Sequence, residues 1–352
     1  MAKKPLAIKF RPQSFDDLTE QTTIKDILTN QIETNTFQHA YLFTGPAGTG
    51  KTTSARIFAN MLNKGEKSDI IEIDAASNSG VDKIRTVIDD SKKRSIISEY
   101  KVYIIDECHS LSNEAWQAML KLLEESPKYS VFILCTTDPQ KIPATIMSRV
   151  QRYQFNKISV EGITARLEHI LEEEGYKPQR TINEKSYSTD AISYIAKLAS
   201  GGMRDAITLM DKCLSLDTHL TLENVLNVVG TGSYDTFFNM LYGLIDDTEV
   251  PVHTIDETFE AGKDVKIFMK EFAKFVLEVE KYAIYNSFEH ITIPQIYEEQ
   301  LKSIVDKSSS LPDILELVFN INNQVKWDND PKTLIELMLL IYKEKHNDRA
   351  EE

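Results

Sequence analysis

Phe43-Thr-Gly45-Pro-Ala-Gly-Thr-Gly-Lys51-Thr52 is the stretch on which the fold of this chain turns. From Gly45 to Thr52 it satisfies the phosphate-loop pattern GxxxxGK[ST] at every fixed position. The apolar run Ala40-Tyr-Leu-Phe43 ahead of it suits a buried strand, and Thr53-Ser-Ala-Arg-Ile-Phe-Ala-Asn-Met-Leu62 behind it carries apolar residues at helical spacing. Strand, loop and helix is the order in which the pattern has mechanical meaning. The glycines let the backbone approach phosphate oxygens with its N–H groups, and the positive end of the helix favours an anion. Lys51 reaches the β and γ phosphates as a mobile point charge, and the Thr52 hydroxyl is placed for Mg²⁺. Gly45, Pro46, Ala47, Gly48, Thr49, Gly50, Lys51, Thr52 and Thr53 are therefore the candidate nucleotide contacts. The alternative for the loop alone is a Gly-rich turn with no ligand.

A second segment argues against that alternative. Lys101-Val-Tyr-Ile-Ile-Asp106-Glu107 is an apolar strand ending in two carboxylates, the arrangement that sets a metal-linked acid beside a water-orienting one. Asp106 joins Thr52 as a candidate Mg²⁺ ligand, and Glu107 is the candidate that polarises water. Alone, such a strand could simply enter a solvated loop.

The length of 352 residues suits two or three domains, with ample apolar content for their cores. No apolar stretch approaches membrane-spanning length, and the first residues lack the apolar segment of a secretory signal, so the cytoplasm is the expected compartment and no membrane partner is expected. Cys108, Cys135 and Cys213 are far apart, which suggests buried free thiols and neither disulfides nor zinc. Charge is uneven. Residues 1–159 carry 21 Lys and Arg against 19 Asp and Glu, whereas the rest carries 19 against 35, so any nucleic-acid contact belongs to the first half.

Short β-rich runs alternate with helical ones up to about residue 159: Ala40–Phe43, Ile70–Ile73, Lys101–Ile105, Val131–Cys135 and Arg152–Phe155. This pattern predicts an α/β domain with a parallel sheet over 1–159. From Val160 strand signals fade and helical periodicity runs through Val228, predicting a small helical domain over 160–230. After the break Gly230-Thr-Gly-Ser233, long amphipathic runs predict a third, all-α domain over 231–352. Lys266–Tyr285 carries Phe268, Phe272, Phe275, Val279 and Tyr282 on one face, which reads as core more readily than as a partner surface. The last helix is expected over Thr333–Tyr342, ending in the polar run from Lys343 to Asn347.

Several further stretches carry a resemblance. They are Lys9-Phe-Arg-Pro-Gln-Ser-Phe-Asp-Asp-Leu-Thr-Glu-Gln21, His39-Ala-Tyr-Leu-Phe-Thr-Gly-Pro46, Glu72-Ile-Asp-Ala-Ala-Ser-Asn78, Asp106-Glu-Cys-His-Ser-Leu111 and Thr136-Thr-Asp-Pro-Gln-Lys-Ile-Pro143. With Ser148-Arg149, Gly201-Gly-Met-Arg204-Asp-Ala206 and Asp330-Pro-Lys-Thr-Leu-Ile-Glu-Leu-Met-Leu-Leu340, they resemble the bacterial DNA polymerase III gamma/tau subunit family, the ATPases of sliding-clamp loaders. The resemblance implies an AAA+ ATPase with a helical lid and a helical collar. It would use ATP and Mg²⁺ within a pentameric ring of loader subunits that opens a sliding clamp around primer-template DNA. It also implies residue roles. Thr137 is similar to the sensor of the γ-phosphate, Arg204 to the lid arginine at the same nucleotide, and Arg149 to the finger supplied to a neighbour's site. Lys9, Arg11 and Pro12 fall where the family wraps adenine and ribose, and Asn78, Ser79 and Arg85 where it faces the DNA backbone. The physics agrees, since a guanidinium stabilises the charge spread by a transferring phosphoryl group. Lys92-Lys-Arg94 is a basic run nearby that equally suits a solvated helix end.

The sequence departs from the family pattern in two places. Only Asn63-Lys-Gly-Glu-Lys-Ser68 stands where the family carries a four-cysteine zinc module, so no zinc is expected, and Val150 replaces a cysteine after Ser-Arg. The resemblance is to the short gamma form, for which tethering of the polymerase is not expected. A shortened bacterial lineage and a viral homologue both suit the missing module. Two rival functions share parts of the pattern: a branch-migration motor, which should end in a winged helix, and a non-hydrolysing loader scaffold, which should lack a working phosphate loop.

Overall fold

Successive residues of β1, Ala40–Thr44, bury their side chains on opposite faces of a sheet. Tyr41 and Phe43 enter one core with Val102, Ile104, Val131 and Ile133, whereas Leu42 enters the other with Tyr103, Ile105, Phe132 and Leu134. A strand buried on both sides has no polar face to show, which is why these runs are continuously apolar. In this computed structural model, which describes residues 4–95, 97–178, 185–229, 234–246, 248–307 and 310–350, the chain forms two compact units, Met1–Leu220 and Thr221–Glu352.

The first unit is built on five parallel strands. They are β1, β2 (Ile70–Asp74), β3 (Lys101–Asp106), β4 (Ser130–Thr136) and β5 (Gln151–Gln154), in the spatial order β2-β3-β4-β1-β5. All five follow the sequence expectation. The helices Thr22–Glu33 and Lys51–Leu62 cover one face through Leu28, Ala55 and Phe58, and the helices Val81–Ser91 and Asn113–Glu124 cover the other through Ile84, Trp116 and Met119. Because every strand runs the same way, all five carboxyl ends open on one edge, where α/β sheets bind ligands.

Beyond β5 the helices Val160–Glu173, Thr189–Leu198 and Met203–Leu216 follow. The first two start on serine caps: Ser159 Oγ accepts from the Gly162 amide at 2.9 Å and Ser188 Oγ from the Ala191 amide at 3.2 Å. The expectation of helices alone needs correcting here. Three two-residue strands, β6 (Lys177–Pro178), β7 (Ser186–Tyr187) and β8 (His219–Leu220), form a small parallel sheet, and pieces so short carry no period for a sequence to display.

Among the described residues the second unit is entirely helical. Its longest helix, Val265–Tyr285, begins at Asp264, whose carboxylate accepts from the Lys266 amide at 2.8 Å. Phe268, Phe272, Phe275, Val279 and Tyr282 are all buried, so that stripe is core; Phe237 and Phe238 pack against Phe275 at 5.5 and 4.9 Å. The expected end of the last helix was too early. It spans Pro331–Ala350, because the polar run after Tyr342 contains strong helix formers and no Gly or Pro to stop it. The break expected at Gly230–Ser233 lies outside the described residues. No described helix is long and apolar enough to cross a membrane.

Phe272 is fully buried in the aromatic core of the second unit. Phe272→Ala should lower stability by about 3–5 kcal/mol, measured by urea unfolding of the whole chain. A loss below about 1 kcal/mol would show that the ring fills no core.

Candidate functional site

The phosphate loop leaves the end of β1 and turns into the helix Lys51–Leu62. Gly45 makes the turn possible: its φ is 142°, and a Cβ there would stand 2.3 Å from the Phe155 carbonyl oxygen, in the segment that continues β5. Gly48, at φ 71°, lies against the start of the helix Met203–Leu216; the Met203 amide donates to its carbonyl at 3.0 Å. Inside the loop the Lys51 ammonium donates to the Gly45 and Pro46 carbonyls at 2.8 and 2.7 Å. Burial lowers its pKa, and the nearby carboxylates Glu107 and Asp106 act the other way. A cation held inside a ring of backbone dipoles at a helix start fits an anion of the size of a phosphate.

At the end of β3, Thr52 Oγ1 donates to Asp106 Oδ2 at 2.8 Å. Burial raises the Asp106 pKa, the Thr52 hydroxyl and the Glu107 amide lower it, and the Glu107 and Glu72 carboxylates raise it further. A half-buried carboxylate beside a hydroxyl is a hard-oxygen pair that suits Mg²⁺ and would be stabilised by its charge. Glu107 itself sits in the left-handed region at φ 46°, a strained conformation for this residue type. Its Oε2 accepts from Thr137 Oγ1 at 3.0 Å and lies 3.3 Å from His109 Nδ1. That same nitrogen is 3.0 Å from Thr136 Oγ1, which accepts from the Asp138 amide at 3.0 Å. Cys108 and Cys135 are fully buried close by, and burial pushes both thiols up, so they pack as neutral groups; Cys213 is also buried and is pushed up to about 11.

Loop and acid pair open into one cleft of about 520 Å³ in the first unit. Ala47–Thr53, Asp106, Glu107 and Arg204 line it, and so do Arg11 and Pro12. Gly45 and Pro46 stand behind, offering carbonyls to Lys51, and Thr137 reaches the cleft through Glu107. Lys9 is the exception among the expected wall residues. It is paired with Glu174 over the Phe10 ring and does not line the cleft, because a carboxylate 165 residues away holds it.

Three contributors escape a reading of the sequence. Arg166 lines the cleft and donates to the Phe10 carbonyl at 3.1 Å, bracing the segment that carries Arg11. Arg56 lines it as well and donates Nε to Glu72 Oε2 at 2.6 Å; its position one turn beyond Thr52 was the available signal. His109 had none beyond its nearness to the acid pair.

Arg149 is not in this cleft. It precedes β5, and Gln151 at the start of β5 pairs with Tyr41 at the start of β1, so it lies at the edge of the sheet opposite Gly45. Asn78 and Ser79 lie between β2 and the helix Val81–Ser91, and Arg85 lies within that helix. Asn78 donates to the Asp74 carbonyl at 3.1 Å, the Ser79 carbonyl accepts from the Ser112 amide at 3.2 Å, and the exposed Arg85 pairs with Asp82 at 3.1 Å. Nearby, Lys92 pairs with Asp89 and Arg94 sits over the Tyr129 ring.

Comparison with known proteins agrees with this architecture. The family model of the DNA polymerase III delta subunit matches residues 20–78 and 61–159. The branch-migration motor RuvB of Thermotoga maritima superposes with a TM-score of 0.51 over 67% of this chain and 79% of that one at 20% identity, a likeness of fold. The DNA polymerase III subunit tau of Bacillus subtilis is 34% identical over 97% of this chain, which spans 63% of that protein. The tau subunit of Escherichia coli is 35% identical over 70% of this chain and is matched over 40% of its own length. None of these relatives gives support to a viral origin. The DNA polymerase III subunit gamma of Buchnera aphidicola is 31% identical over 86% of this chain and 87% of that protein, and with it this chain belongs to the DNA polymerase III gamma/tau subunit family.

Proposed function

We propose that this chain is an ATP-hydrolysing motor subunit of a sliding-clamp loader, which loads the clamp onto primer-template DNA during replication. The observation that carries this reading is the convergence of Lys51, Thr52, Asp106 and Glu107 on one cleft, with Arg149 at the far edge of the same sheet. Lys51 leaves the loop carbonyls for the β and γ phosphates. Thr52 and Asp106 hold Mg²⁺, which supplies charge neutralisation at the phosphates. Glu107 orients the attacking water, Thr137 senses the γ-phosphate through its contact with Glu107, and Arg204 reaches the nucleotide from the lid. Arg11 and Pro12 flank the base. We assign the lid to residues 160–230 and the collar, which joins the chain to its partners in a pentameric ring, to 231–352.

Arg149 serves a neighbour's nucleotide. Five residues of β1 separate its level from the phosphate loop, roughly 16 Å of strand, which is beyond the reach of a side chain to its own site. Asn78, Ser79 and Arg85 are assigned to the DNA backbone, on the less acidic half of the chain.

The rival readings fit less well. A branch-migration motor calls for a winged helix, whereas the described residues of the second unit are helices only. A non-hydrolysing scaffold has no use for Thr52 bonded to Asp106 beside Glu107.

Two outcomes test the proposal. Lys51→Ala should lower hydrolysis stimulated by clamp and primer-template DNA by at least about 100-fold in the purified complex; an unchanged rate would remove this cleft as the motor. Arg149→Ala, mixed with unsubstituted chain, should leave its own nucleotide binding intact while lowering turnover at the adjacent site by about 10³-fold or more, read by single-turnover hydrolysis. Full activity at that adjacent site would remove the role in trans.

A further inference from the structure

Arg149 is engaged in this chain as it stands. Its Nε and Nη2 donate to Glu124 Oε1 at 2.9 and 2.5 Å, and its Nη1 donates to the Thr145 carbonyl at 2.6 Å and to Ser148 Oγ at 3.1 Å. A guanidinium has five N–H groups in a fixed fork. Four are used here, which leaves one, whereas gripping a phosphate by two prongs needs a whole edge of the fork. Letting go of Glu124 would free such an edge, made of Nε and Nη2, while Nη1 stays anchored to Thr145 and Ser148.

The position of Glu124 makes it a fitting holder. It is the last residue of the helix Asn113–Glu124, where the carbonyl ends make a carboxylate unfavourable, and Glu125 follows it. A guanidinium drawn to that point relieves both. The hold is also weak enough to break, since the Arg149 and Glu124 side chains are 33% and 47% exposed and such pairs are screened by water. A phosphate carries more charge than the Glu124 carboxylate and would compete with it for the guanidinium.

Building on the trans role of Arg149 proposed above, we propose that Glu124 is a positioning residue that stows the Arg149 guanidinium and competes with the neighbour's phosphate for it. Glu124 touches no nucleotide. It sets the fraction of time for which the finger is available, and so couples hydrolysis to the fit of the subunit interface.

The test uses complexes in which one chain carries Lys51→Ala, so that its own site contributes nothing to the hydrolysis read beside it. Adding Glu124→Gln to that chain should raise the single-turnover rate at the neighbour about two- to fivefold, without weakening the neighbour's nucleotide affinity. Glu124→Asp keeps the charge on a shorter arm and should fall between. An unchanged or lower rate with Glu124→Gln overturns the stowing role. Adding Arg149→Ala in the same background separates the two ideas: if that change is silent, the trans reading itself fails, and if it abolishes hydrolysis while Glu124→Gln has no effect, only the stowing role fails.

Discussion

Parallel pairing of β1 between β4 and β5 is the constraint from which the site follows. With all strands pointing one way, the loop after β1, the carboxylates after β3 and the hydroxyls ending β4 emerge side by side without any long-range search. The same register puts the residues before β5 at the other edge. One sheet thus separates the phosphate-loop cleft from Arg149. The pairing is held by two apolar cores that sandwich the sheet, one of which reaches the cleft at Leu18.

The groups at the cleft are poised against their own preferences. Lys51 is a cation inside a buried loop, hydrogen-bonded to two carbonyls, and Asp106 is a carboxylate whose charge burial disfavours. Each would be stabilised by bringing in the opposite charge, Lys51 by phosphate and Asp106 by a divalent cation. Glu107 adds backbone strain at φ 46° and is steadied by Thr137 and His109. Strain and desolvation of this kind are sustained by the surrounding sheet and helices.

Much of this could be read from the residues because the determining patterns are local. Gly45 to Thr52 lie within one turn and one helix start, the strands are uninterrupted apolar runs, and Phe268 to Tyr282 repeat at helical spacing. What escaped depends on partners remote in sequence or on elements too short for a period. Lys9 is drawn aside by Glu174, Arg166 reaches back to Phe10, Arg149 is held by Glu124, and the strands β6 to β8 have two residues each. The helix runs past the stop expected after Tyr342 for another reason: polar residues alone do not end a helix, and no Gly or Pro follows there.

In the function proposed above, a single chain holds a complete nucleotide-binding site and lacks at that site the arginine that completes the hydrolytic one. This division is tested most directly by following ATP hydrolysis per chain as protein concentration carries the complex through assembly, with nucleotide binding and mass measured on the same samples. The expected result is saturable nucleotide binding by the unassembled chain with slow turnover, and a rate per chain that climbs with the assembled fraction. A rate per chain that is the same before and after assembly would contradict it.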